Sequence, residues 1–142
     1  NQAWLLGVER RLCVGEHANV VDLIDRRHAE RGDGQGLWAV PYPRELNDIP
    51  MIVARQMDGK DFAQMIIDNT DEMLDQSRNQ PLVQGIALHP YLVGQPYRLR
   101  HLRRALQHLC TARDQGLIWF TTPGAICDHV SGLALNDPSS FS

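Results

Sequence analysis

A chain of 142 residues carrying a formal charge of −3 is long enough for one domain with a modest core. Its acidic balance gives no electrostatic reason to expect a nucleic-acid or membrane partner, and no apolar run reaches bilayer-spanning length. Cys13, Cys110 and Cys127 are far apart, odd in number and form no CxxC pair, so neither a disulfide framework nor a zinc site is indicated. A reducing compartment, the cytoplasm, is the default expectation.

Residues 4–14 (WLLGVERRLCV) are apolar with a charged interruption and have no firm assignment. Residues 18–31 read as a helix, with Val20, Leu23, Ile24 and Arg27 following the three-four spacing of one face. The glycine-rich run 32–36 (GDGQG) is a turn or linker and the best candidate for an internal boundary. Residues 37–42 (LWAVPY) form a short strand closed by Pro41 and Pro43, since proline cannot donate to a central ladder. The loop 43–50 (PRELNDIP) is polar, and 51–54 (MIVA) reads as a short strand or an extended loop.

A helix over roughly 60–77 follows, capped by Asp58 or Asp61, with Phe62, Met65, Ile66, Asn69, Met73 and Leu74 on one face. Asp68, Asp71, Glu72 and Asp75 make its other face acidic. It ends before Pro81, because proline disfavours helical geometry in the residue before it. The apolar run 83–88 is too short and too apolar for a surface segment and suits a strand buried on both faces.

His89 stands at the carboxyl end of that strand, where the loops of parallel α/β folds converge on one crevice. Pro90, Gly94 and Pro96 break any continuing strand and define the loop. A helix over 97–113 shows leucines at 99, 102, 106 and 109, and Gly116 suits a left-handed cap. Residues 117–121 (LIWFT) are the last strand, and Thr122–Pro123 opens a final helix buried through Ile126, Val130 and Leu133. The tail from residue 136 is expected to fray.

Strands and helices therefore alternate, which argues for parallel βαβ units. The strands at 37–42, 83–88 and 117–121 are expected to be neighbours in one parallel sheet, with helices outside and the Glu45–Asp48 loop beside His89.

Three blocks in order, WAVPYPRELNDIP, GIALHPYLVGQPYRLRHLRRALQHL and GLIWFTTPGAICDHV, resemble the carboxy-terminal half of the NodB-type polysaccharide deacetylases (carbohydrate esterase family 4). The branch containing the metal-independent allantoinases is the most similar. The resemblance covers about residues 37–130. It implies an α/β fold, a parallel-strand (β/α) barrel that is only partial here. Residues 1–36 would be a poorly matched segment, 37–135 the half barrel and 136–142 a tail. It also implies a hydrolase of non-peptide carbon–nitrogen bonds, acting on a small-molecule amide or an N-acetyl sugar.

In that resemblance His89 matches the histidine that acts as general acid or positions the leaving group, a role suited to imidazole near neutral pH. Two departures stand beside it. Ala87 occupies a place where the deacetylases usually have leucine, and Pro90 follows the histidine where aspartate is often found. Glu45, Asn47 and Asp48 would face substrate from the neighbouring loop, and Arg98 would bind a substrate carboxylate through its planar fork or bridge loops. Each has a plainer alternative: a satisfied loop histidine, polar loop caps and a solvated arginine at a helix start.

The metal motif of the family is missing: no HxxxH occurs among His17, His28, His89, His101, His108 and His129. A zinc ion would therefore require ligands from an amino-terminal half, since about three protein ligands and a water make a catalytic site. The second reading is a catalytically silent fragment or structural half-domain that acts only by association. Half a barrel leaves open strand edges, which makes a homo-oligomer the expectation. The basic helix 98–108 lacks aromatic interleaving, so no nucleic-acid partner is expected, and no membrane.

Overall fold

The computed structural model describes residues 3–8, 43–78 and 81–136. Three strands, β1 (Ala3–Val8), β2 (Leu82–Ala87) and β3 (Trp119–Thr121), form one sheet. Four helices accompany them: α1 (Gly59–Gln76), α2 (Pro90–Val93), α3 (Pro96–Asp114) and α4 (Pro123–Asn136). The helix expected over 18–31, the linker 32–36, the strand 37–42 and the tail lie outside the described residues.

The sheet corrects the parallel-neighbour expectation. Its order is β2-β1-β3, and β1 is antiparallel to both flanking strands, with Ala3 opposite Ala87 and Leu5 opposite Thr121. β2 and β3 thus run in the same direction but are separated by β1, and no barrel closes among the described residues. Alternation of β and α elements predicts direction, and it does so here for the β2–α3–β3 crossover. It carries no signal that a distant apolar segment, AWLLGV, inserts between the two strands. A parallel contact does exist on the outer side of β2, where Asn47 forms an isolated parallel bridge with Ala87.

α1 starts where the sequence places its cap: the Asp58 side chain accepts a hydrogen bond from the Lys60 N–H at 2.7 Å. It buries Phe62, Ala63, Ile66 and Thr70, a stripe rotated slightly from the expected one, leaving Met65 and Leu74 half-buried. α3 buries Leu102, Ala105, Leu109 and Ala112, while Leu99 and Leu106 are half-buried. The small side chains at 63, 105 and 112 bring the two helix backbones close, which turns each stripe toward its alanines.

α3 ends in a Schellman motif. Gly116 has φ +72°, its N–H donates to the Arg113 carbonyl at 2.8 Å, and the Leu117 N–H donates to the Ala112 carbonyl at 3.0 Å. Residues 49–54 are neither strand nor extended loop but a wide π-type turn (Ile49–Ala54), closed by the Arg55 N–H on the Pro50 carbonyl at 3.0 Å. Met51 and Ile52 of this turn enter the core with Leu46, Ile86, Val93 and Ile118.

α1 covers β2 through an apolar contact and one polar one. The buried Thr70 hydroxyl donates to the Ile66 carbonyl at 2.7 Å and accepts from the side-chain amide of Gln84, buried in β2, at 3.1 Å. Among the described residues no buried side-chain nitrogen or oxygen lacks a partner, as burial requires. The sheet and the α1–α3 pair hold the carboxyl end of β2 in place, and the chain leaves the sheet there.

Candidate active site

Two short segments meet at the end of β2. The Ala87 N–H donates to the Leu46 carbonyl at 2.8 Å, which sets the 43–48 loop alongside the strand end. Two residues further on, His89 precedes a proline, which favours extended geometry, and it has φ −116° and ψ 118°. From there its carbonyl accepts the N–H groups of Leu92 (2.9 Å) and Val93 (3.1 Å), starting α2. The Gly94 N–H closes the turn on the Pro90 carbonyl at 2.9 Å. A Cβ at Gly94 would lie 2.2 Å from that oxygen, so only glycine fits the turn.

Asp48 lies across this loop. Its Oδ2 accepts the His89 backbone N–H at 2.7 Å and its Oδ1 is 2.6 Å from His89 Nδ1. The Asp48 side chain has 0% exposure and that of His89 has 20%. A buried carboxylate holds its charge only when hydrogen-bonded, and here both oxygens are engaged by one residue. The carboxylate selects the ring tautomer with the proton on Nδ1, leaving Nε2 as the edge that can take or give a proton. A second pair, His108 Nε2 to Asp71 Oδ1, has the same 2.6 Å length but side chains 38% and 55% exposed. Water competes there, so that contact between α1 and α3 fixes little.

The other sequence candidates are dispersed around this pair. Asn47 is in the bridge to Ala87, and its Oδ1 accepts the Ile49 N–H at 3.2 Å, closing the turn that presents Asp48. Glu45 is exposed and sits 3.7 Å from Arg55 Nη1. Arg98 lies at the far end of α2: its Nη1 donates to the Leu92 carbonyl at 3.5 Å and its guanidinium stands 5.0 Å over the Tyr97 ring. It borders an open groove with Ile52, Gln56, Met57 and Asp58. The structure therefore brings Asn47, Asp48 and His89 together, turns Glu45 toward Arg55, and sets Arg98 against the loop. Sequence reasoning did not single out Tyr91, whose ring meets that of His89 edge-on at 5.8 Å and 64°. Its signal was an aromatic residue directly after His-Pro.

Among the described residues no group of three His, Cys, Asp or Glu side chains stands together in a way that could hold a metal ion. Among those residues, too, no helix is long and apolar enough to cross a membrane.

No family model matches the chain. Over 92 residues it is 30% identical to a Schizosaccharomyces pombe protein named "Putative polysaccharide deacetylase", an alignment covering 63% of this chain and 28% of that one. No solved structure matches. The chain thus spans less than a third of the length of the curated relative that it matches. The similarity is distant. It is a likeness to the polysaccharide-deacetylase superfamily.

Proposed function

We propose that this chain contributes the proton-transfer centre of a hydrolase of non-peptide amide bonds, of the deacetylase type. The observation that carries the reading is the buried Asp48 carboxylate holding both the backbone N–H and Nδ1 of His89 two residues beyond the end of β2. In the reaction, water adds to the amide carbonyl carbon, and the tetrahedral adduct then collapses with cleavage of the C–N bond. His89, protonated on both ring nitrogens, gives its Nε2 proton to the departing nitrogen, and the proton released by the added water returns to the ring through solvent, so the products are a carboxylic acid and an amine. Asp48 keeps the ring oriented and offsets the positive charge it carries during transfer. The group that activates the water is not assigned to this site.

The similarity to a protein named as a polysaccharide deacetylase supports the choice of bond. The His-Pro sequence supports placing the chain in the allantoinase-like branch, as the carboxy-terminal half of a (β/α) barrel. The parallel bridge at Asn47 and the common direction of β2 and β3 are compatible with that placement. Glu45 and Arg98 are the substrate-facing charges of this reading.

The test is product analysis. The chain is incubated with N-acetylglucosamine oligosaccharides and, separately, with allantoin, and released acetate or the ring-opened product is measured. Cleavage of one of them, reduced by at least about a hundredfold in His89→Ala, is the expected result. No cleavage of either, or cleavage indifferent to His89→Ala, overturns the reading.

A further inference from the structure

Tyr91 is 63% exposed although its ring contacts that of His89. Its backbone is held from both ends of the short helix. Pro90 fixes the first position of α2, the His89 carbonyl holds the next turn, and Gly94 locks onto Pro90 from the other end. The Gln95 side-chain amide donates to the Tyr91 carbonyl at 3.2 Å. The loop therefore fixes the backbone under the aromatic ring beside the histidine and leaves most of the residue open to solvent. A ring held in this way loses little freedom when a second flat or apolar surface stacks on it.

We infer that Tyr91 is a specificity-determining residue, a stacking platform for a ring or other apolar face carried by the substrate next to its scissile amide. This rests on the reading of His89 as the proton-transfer residue. Asp48 and Tyr91 then act on different properties of the site. Asp48 holds Nδ1 and governs the ring's proton, whereas Tyr91 lies beside the imidazole and governs which amides stay there long enough to react. Small acyclic amides lack a face to stack and bind weakly, whatever their reactivity.

The test separates binding from turnover. The full chain and its variants Tyr91→Ala, Tyr91→Phe and His89→Ala are titrated with tri-N-acetylchitotriose and with acetamide, following aromatic proton resonances by NMR. The trisaccharide is expected to bind the wild-type chain at least about tenfold more tightly than acetamide. Tyr91→Phe and His89→Ala should keep that preference, and Tyr91→Ala should reduce it to near parity while leaving the far-UV spectrum and the other resonances in place. Equal binding of the two probes to the wild-type chain, or a preference that survives Tyr91→Ala, overturns the inference. A preference that depends on Tyr91 without any amide cleavage by the wild-type chain would support the platform and count against the catalytic reading instead.

Discussion

Replacing Asp48 with asparagine changes one oxygen to an NH2 group at nearly constant volume, in a side chain with no exposure to solvent. The native carboxylate accepts two hydrogen bonds from His89, at 2.7 Å from the backbone N–H and 2.6 Å from Nδ1. Asparagine can accept one of them. If its oxygen keeps the backbone N–H, its NH2 faces Nδ1 and forces the ring proton onto Nε2. If the amide turns round, a buried backbone N–H is left opposite a donor. The first arrangement is the cheaper, because the ring can change tautomer and the backbone cannot. The lost charge-assisted bond costs about 1.5–3 kcal/mol of stability. With Nδ1 facing an NH2 group, the doubly protonated ring that donates from Nε2 is no longer supported, which should lower turnover by on the order of 10²–10⁴. Urea unfolding measures the first effect, and nitrogen-15 spectra of the imidazole, with the rate, measure the second. An unchanged proton position in Asp48→Asn, with wild-type stability, would refute the reasoning.

The remaining predictions concern the scaffold. Gly94→Ala should destabilise by about 1–3 kcal/mol and broaden the His89 resonances, because its Cβ would meet the Pro90 carbonyl oxygen, an atom of the backbone. Gln56, at φ +55°, is the one described non-glycine residue with positive φ; Gln56→Gly should raise stability by roughly 0.5–1 kcal/mol in thermal unfolding. Leu109→Ala, at the buried α1–α3 contact, should cost about 2–5 kcal/mol. His108→Ala should change stability by less than about 1 kcal/mol, although its bond to Asp71 is as short as that of His89 to Asp48, since both of its partners are open to water.

How much the sequence reveals differs by element, for physical reasons. α1, α3 and the strand after Pro81 are legible because their determinants are local: the Asp58 cap, the leucine spacing, the left-handed glycine at 116 and the proline stops. β1 is not legible, because a six-residue apolar strand followed by charges declares neither its type nor its partner, and its pairing with residues about 80 and 115 positions away leaves no local trace. The π-type turn at Ile49–Ala54 is illegible for a related reason: apolar residues in a short run fit a strand and a buried turn equally well.

At the site, the sequence places His89 at a strand end and the 45–48 loop beside it, and the structure brings these two segments together. It does not reveal that Asp48, rather than Glu45, turns inward. That choice depends on the Asn47 turn and on the parallel bridge to Ala87, which orient the loop only once the sheet has formed. An aromatic next to His-Pro reads equally well as core, and only the fold shows Tyr91 exposed.

The most direct test of the central claim, that His89 moves a proton rather than merely closing a loop, is chemical rescue. Turnover of His89→Ala is measured on the best amide substrate while free imidazole is added, with the fold monitored by circular dichroism. A saturable recovery of rate with imidazole, absent in the wild-type chain and absent when an equally sized apolar ring replaces imidazole, is the predicted result. A folded His89→Ala variant that keeps its full rate, or one whose lost rate imidazole does not restore at any concentration, would contradict the account.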